Sequence, residues 1–337
     1  MSKWYIGGGE KSEVVVSTRI RLARNLEDYP FPCRLTVKGK ETVCEEIKNA
    51  ILSDDTWGFG YTYMKDFTRA QSVSLAERHL ISPEFASDRA GRALLLTDDE
   101  AVSIMLCEED HIRLQVMMAG LALKEAYSVA DKIDNIISSK LNYAYDDRIG
   151  YLTQCPTNLG TAMRASVMLH LPALTESGYI EKFINAAASI GLTFRGTHGE
   201  GSEVNGCLYQ LSNQISMGIS EADTMERLIQ AADKITENER NLSEKMLKND
   251  QIKDRILRAE GILRYAGLMS SAEAAKLFSD VRWGAEYGVN NLDAKVLDDL
   301  FIKIQPYSLM LYGGESTDIS GRDRKRAETL REAFKAL

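Results

Sequence analysis

Long apolar runs, paired cysteines, excess basic charge and the usual nucleotide-binding motifs are all missing from this sequence of 337 residues. Nothing approaches the roughly 18 consecutive apolar residues of a membrane-spanning helix, and the opening MSKWYIGGGEKSE has no apolar core behind a basic segment. A cytoplasmic chain with no membrane partner is the expectation. The five cysteines, Cys33, Cys44, Cys107, Cys155 and Cys207, are odd in number and widely spaced, with no CxxC or CxxH. Neither a disulfide framework nor a zinc site is indicated. A net charge of −8 argues against direct nucleic-acid binding, which needs a basic face. There is no GxxxxGK[ST], no GxGxxG between strand and helix, and no VAIK, HRD or DFG set, so a P-loop or protein-kinase fold is not expected. The four histidines, His79, His111, His170 and His198, assemble into no Ser-His-Asp or Cys-His arrangement.

What is present suits a soluble globular protein: 44% apolar and 27% charged residues, in a chain long enough for two compact units. Up to about residue 220, short β-type runs alternate with helical stretches, an α+β pattern. Strands are expected over 14–22, 92–97, 102–108, 111–117, 148–153, 164–171, 192–196 and 207–213, and helices over 41–52, 121–141 and 180–190. Beyond that, helical periodicity dominates, and no proline occurs between Pro172 and Pro306. Met225, Leu228, Ile229, Ala232 and Ile235 form one stripe. Ser270 with Glu273, and Ser320 with Asp323, have the spacing of helix starts, the latter preceding inward Leu330 and Phe334. The division expected is residues 1–240 as an α+β unit and 241–337 as an all-α unit.

The run STRIRLAR, residues 17–24, concentrates three arginines in this acidic chain. In a strand, the period of two places Ser17, Arg19 and Arg21 on one face and Thr18, Ile20 and Leu22 on the other. Like charges side by side cost energy unless carboxylates or an anion lie between them. Arg113 in HIRLQVM and Arg164 in RASVMLHL also sit opposite apolar strand faces, and Arg195 ends LTFRG. Five arginines on strands point to a polyphosphate clamp, because planar guanidinium forks match phosphate oxygens. A solvated face with acidic neighbours is the other reading. Two carboxylate groups stand nearby in sequence, Glu108, Glu109 and Asp110 in CEED and Glu200 and Glu203 in GEGSE, each either functional or simply a solvated turn. Cys155, in CPTNLGT, is either a thiol activated by nearby cations or an inert one.

Taken together, STRIRLARN, EEDHIRLQ, CPTNLGTAMRAS and RGTHGEGSE resemble the phosphagen kinase family in order and spacing, over about residues 10–240. That resemblance implies a catalytic domain with an antiparallel sheet flanked by helices, and transfer of the γ-phosphoryl group of ATP, with Mg2+, to a guanidinium. Within the family the chain is more similar to the bacterial protein-modifying branch, the McsB type, than to creatine or arginine kinases. Only 16 residues precede STRIR, where the metabolic enzymes carry a helical domain, and the helical unit here follows the catalytic motifs. RDRKRA, residues 322–327, is similar to that branch's RDxxRA motif. By resemblance, Arg322, Asp323, Arg324, Lys325, Arg326 and Ala327 would form an allosteric phosphoarginine pocket. A salt-bridged, exposed helix face is the plain alternative.

The resemblance also implies roles residue by residue. Arg19, Arg21, Arg113, Arg164 and Arg195 would hold the ATP phosphates. Ser17, Thr18, Ile20, His79, Ala165, Ser166, Val167, Met168, Gly196, Thr197, His198, Gly199 and Glu200 would complete the nucleotide site, although His198 replaces an arginine of arginine kinase and receives no phosphate role. Glu109 would orient the acceptor guanidinium and take its proton, Glu200 would be the second carboxylate, and Cys155 would act electrostatically beside the acceptor. Glu108 would stand in the second shell of Mg2+. The implied partners are protein substrates such as a heat-shock repressor, a zinc-finger activator of the McsA type, a Clp-type protease and a second copy of the chain in a homodimer. A small-molecule guanidino kinase and a non-catalytic phosphoarginine-binding adaptor are the competing readings.

Overall fold

The computed structural model describes residues 3–6, 8–196, 206–313 and 318–337. Ten strands occur among them: β1 Val15–Arg24, β2 Phe59–Tyr63, β3 Ala93–Thr97, β4 Val102–Leu106, β5 Ile112–Ala119, β6 Tyr145–Asp146, β7 Gly150–Tyr151, β8 Met163–His170, β9 Leu192–Arg195 and β10 Leu208–Asn213. The helices are α1 Val37–Leu52, α2 Arg69–Glu77, α3 Pro83–Ser87, α4 Leu123–Ser138, α5 Pro172–Glu176, α6 Ile180–Ser189, α7 Glu221–Met246, α8 Asp250–Tyr265, α9 Ser271–Glu286, α10 Ala294–Lys303, α11 Pro306–Gly313 and α12 Ile319–Ala336. Eight strands form one antiparallel sheet in the order β2-β3-β4-β5-β1-β8-β10-β9, and β6 with β7 makes a small hairpin. No described helix is long and apolar enough to cross a membrane.

The alternation read in β1 decides how the sheet is covered. Thr18, Ile20 and Leu22 are buried on the face that also carries Leu114, Val116, Ala165, Val167 and Leu211. Onto it pack Ile47 of α1, Ala130 and Ile133 of α4, and Leu228, Ala232 and Ile235 of α7. The opposite face is divided. Under β3 and β4, Leu94 and Met105 meet Leu75 of α2 and Phe85 of α3. Toward β9 the same face carries the arginines.

Several segments depart from the sequence reading. Only the hairpin arms form around 148–153, because the Asp146 carboxylate accepts the Arg148 and Ile149 N–H groups and Gly150 takes φ +89°, which bends the chain. Strand β2 and helices α2 and α3 were not anticipated. β2 is an edge strand without clean alternation, and α2 and α3 are short. The last helix starts at Asp318, whose side chain accepts the Gly321 N–H, rather than at Ser320. Ser270 does cap α9 by accepting the Glu273 N–H, and Leu330 and Phe334 are buried.

Residue 240 falls inside α7, which runs unbroken from the sheet core toward the C-terminal helices. Those helices have a separate apolar core around Leu263, Phe278, Leu297 and Leu330. Arg282 of α9 joins the two parts. It donates to the Ser12 and Glu13 carbonyls and to His170 Nδ1, at the roots of β1 and β8, while pairing with Asp298.

A second buried tie is Glu239 of α7, whose carboxylate accepts the Ala173 and Leu174 N–H groups of α5 at 2.8 and 2.9 Å. Burial pushes this carboxyl up to about 7, against the pull of those two backbone bonds. The folded state therefore binds this proton more tightly than the unfolded chain does. The Glu239 contribution falls as pH rises from the ordinary 4.5 through about 7, by up to about 3 kcal/mol. Denaturant unfolding at pH 5 and pH 8 should show the wild type losing more stability across that window than Glu239→Gln does. Parallel losses in the two proteins would contradict the assignment.

Candidate active site

Strand register places the cations. Arg21 lies directly across from Arg164 on β8, and Arg113 of β5 is opposite Ala23, one pleat along from Arg21. Arg19 donates to Gln210 Oε1 at 3.0 Å, and Gln210 in turn faces Arg195 across β10 and β9. Arg164 reaches Ser212 Oγ at 3.3 Å. Five guanidiniums from β1, β5, β8 and β9 thus share one face. Desolvation, then Arg113 and Arg164, lower the Arg19 pKa to about 10. Arg21 is pushed well down by desolvation and by Arg19, Arg113 and Arg164, with Glu108 opposing. Its Nε is buried without a hydrogen-bond partner among the described residues. Guanidiniums crowded on one face repel one another, so the face favours a multiply charged anion, and a polyphosphate turns mutual repulsion into binding.

The carboxylates stand at one edge of this field. A cleft of about 200 Å3 is lined by Arg21, Glu108, Glu109, Arg113, Cys155 and Arg164. A second hollow of about 400 Å3 continues from it past Thr157 and Asn158 to Arg195. CEED is no solvated turn, since Glu108 and Asp110 are buried. Glu108 accepts from Ser82 Oγ and, at 2.5 Å, from Arg113 Nη1, which makes it the anchor of Arg113. Glu109 is half-buried, and its carboxylate has no hydrogen-bond partner among the described residues. Burial, then Asp110 and Glu108, raise its pKa, with Arg113 acting the other way. Cys155 opens the single turn Pro156–Asn158, with Sγ 3.0 Å from Thr157 Oγ1.

Other expected site residues are placed elsewhere. Thr18, Ile20, Ala165 and Val167 face the core, because the period of two that presents the arginines turns these four away. Thr18 Oγ1 is occupied by the Gly120 carbonyl and the Ala122 N–H. Ser17, Ser166 and Met168 share the arginine face. His79 follows α2 at φ +61°, its carbonyl accepting from Gln115 Nε2 at 2.7 Å, outside the lining of the cleft. Gly196 is buried beyond β9. Thr197, His198, Gly199 and Glu200 lie outside the described residues.

On α12, Arg322 and Asp323 are half-buried, Arg324 is exposed and Lys325 pairs with Glu328. Arg326 and Ala327 are in the interior, each 1% exposed. The Arg326 guanidinium is committed to the Ile304 and Met269 carbonyls and to Asp323, so it is no part of an exposed, salt-bridged face.

Sequence reasoning missed Gln115, Gln210, Ser212, Ser82 and Asn25. A polar residue recurring in step with the arginines of an otherwise apolar strand would have flagged the first three. Ser82 and Asn25 gave no local signal, because their partners are distant in sequence.

An antiparallel sheet that gathers five arginines on one face beside a half-buried carboxylate has the charge arrangement that phosphoryl transfer requires. Residues 40–242 match the ATP:guanido phosphotransferase C-terminal catalytic domain, and residues 249–337 match the protein-arginine kinase McsB C-terminal domain. The sequence is 42% identical to a protein-arginine kinase of Brevibacillus brevis, over 100% of this chain and 96% of that one. It is 44% identical to one of Caldanaerobacter subterraneus, over 94% and 95% of the two chains. Among solved structures, lombricine kinase superposes with a TM-score of 0.63 at 26% identity, covering 71% of this chain and 70% of that one. The duplicated taurocyamine kinase of Schistosoma mansoni gives 0.62 at 27%, covering 71% and 35%. The chain belongs to the ATP:guanido phosphotransferase family, within its protein-arginine kinase branch.

Proposed function

We propose that this enzyme transfers the γ-phosphoryl group of ATP to the guanidinium of arginine residues in proteins. The observation that carries this reading is a cleft lined by Arg21, Arg113 and Arg164 of the arginine face and by Glu109, whose carboxylate has no hydrogen-bond partner among the described residues. The arginine face binds and orients the phosphates and stabilises charge spread over the transferred oxygens. A guanidinium is protonated at neutral pH and a poor nucleophile. Glu109 pairs with it, and its raised pKa makes it the better base. As the N–P bond forms and the bond to ADP breaks, the acceptor's proton passes to the Glu109 carboxylate. Cys155 lies across the cleft as an electrostatic neighbour of the acceptor, and Glu200 is the proposed second carboxylate.

Mg2+ is proposed to arrive with the nucleotide. No group of three His, Cys, Asp or Glu among the described residues could hold a metal, which fits an ion bound largely by phosphates and water. It would neutralise phosphate charge, and Glu108 would serve that region by fixing Arg113.

The match of residues 249–337 to the protein-arginine kinase C-terminal domain supports a working division into a catalytic unit, 1–240, and a regulatory unit, 241–337. On the latter we place a phosphoarginine pocket at Arg322 and Asp323, framed by buried Arg326. Family resemblance supports a cytoplasmic homodimer, a zinc-finger activator and substrates such as a heat-shock repressor, marked for a Clp-type protease. Incubation with labelled ATP and Mg2+ tests the core reading, offering an unfolded protein or free arginine and analysing the product without acid, which cleaves N–P bonds. Label in protein arginine is expected. Label in free arginine alone would mean a small-molecule kinase, and phosphoarginine binding without any transfer would mean an adaptor.

A further inference from the structure

The two groups that flank the acceptor come from different loops, Glu109 from the β4–β5 turn and Cys155 from the β7–β8 connection. A buried amide ties those loops together. Asn25, one residue past β1, donates from Nδ2 to Asp110 Oδ1 at 2.6 Å and to the Leu152 carbonyl at 3.0 Å. Its Oδ1 accepts the His111 N–H at 2.9 Å. Asp110 Oδ1 also accepts the Gln154 N–H, at 2.8 Å. Asp110 adjoins Glu109 and Gln154 adjoins Cys155, so a single carboxylate oxygen joins the immediate neighbours of both groups. Asn25 and Asp110 are only 2% and 3% exposed, and in such dry surroundings a satisfied polar network is rigid. On the other side of Glu109, Glu108 is held by Arg113 and Ser82. Glu109 is therefore a half-exposed carboxylate between two anchored residues.

We propose that Asn25 is a positioning residue for phosphoryl transfer, setting through Asp110 the separation of Glu109 from the Cys155 loop. This rests on the reading of Glu109 as the base. The position requires an amide, because two acceptors and one donor converge on it. An aspartate of the same size would bring no donor and would set a second carboxylate against Asp110.

Three variants and the wild type test this. Asn25→Asp should lower the rate of transfer to protein arginine about 10²-fold, the scale of a small misplacement of reacting groups. ATP affinity should be unchanged, because the arginines sit on the sheet. Asp110→Asn keeps an oxygen for both donors and should remain active. Glu109 faces Glu108 and Asp110 on its own turn, Arg113 on β5, Arg21 on β1, Arg164 on β8 and Cys155 across the cleft. Loss of the Asp110 charge removes one anion from that set, so the acid limb of the pH–rate profile should move to lower pH. Asn25→Asp combined with Asp110→Asn should stay as slow as Asn25→Asp alone, because the exchanged pair turns an N–H toward the Gln154 N–H and a carboxylate oxygen toward the Leu152 carbonyl. A wild-type rate in Asn25→Asp, loss of ATP binding with activity, a wild-type rate in the double variant or an unmoved acid limb would each overturn the proposal. Absence of transfer to protein arginine by the wild type would instead overturn the functional reading.

Discussion

Glu109→Gln is expected to slow transfer to arginine by about 10²–10⁴-fold while ATP still binds. Glutamine matches glutamate in size but cannot take a proton from the acceptor. Glu109 makes no hydrogen bond among the described residues, whereas Glu108 and Asp110 on either side are anchored. The substitution therefore removes a proton acceptor and leaves the turn standing. The wild-type pH profile carries the same information. Burial, Asp110 and Glu108 raise the Glu109 pKa, so activity should fall with decreasing pH through a value above the ordinary 4.5. The variant should lack that acid limb. Activity within a few-fold of wild type would remove Glu109 from the mechanism.

The second large effect is expected at the clamp. Arg164→Lys keeps one positive charge at the centre of the sheet but replaces a planar fork with a point donor. Arg164 faces Arg21 directly and is braced by Ser212, so its geometry is set by two strands. Phosphoryl transfer needs cations aimed at oxygens whose charge changes during reaction, and a flexible ammonium cannot reproduce two parallel bonds. A loss of roughly 10² or more in kcat/KM follows, assayed with ATP and an unfolded protein acceptor. A wild-type rate would contradict the clamp. Because β1 and β8 pack through their other faces, thermal unfolding should change little.

The site was legible to unequal depth. Alternation in β1, β5 and β8 identified Arg19, Arg21, Arg113 and Arg164 as a one-sided set, since a period of two follows from backbone geometry and needs no tertiary information. The same rule should have excluded Thr18, Ile20, Ala165 and Val167, which motif similarity carried in with their neighbours. Arg24 fell outside that set, and it is buried against Asp134 with its guanidinium 3.5 Å from the Tyr151 ring centroid. The acidic turn was ambiguous, because burial of Glu108 and Asp110 depends on Ser82, Asn25 and Gln154, contributed by three separate segments. Arg326 shows the opposite failure. Its one-turn spacing from Arg322 was plain, but only the packing of α12 against Ile304 and Met269 buries its guanidinium.

The sequence by itself determined the class of chemistry: which strands alternate, which residue types face an anion, and which four motifs accompany one another. These are local properties, encoded in spacing. Tertiary structure decided the order β5-β1-β8-β10-β9 that brings five arginines from distant segments onto one face. It also decided which carboxylates are anchored and which one is left to meet a substrate. Those outcomes depend on hydrogen bonds between residues some 85 positions apart, such as Asn25 and Asp110, which local periodicity cannot register.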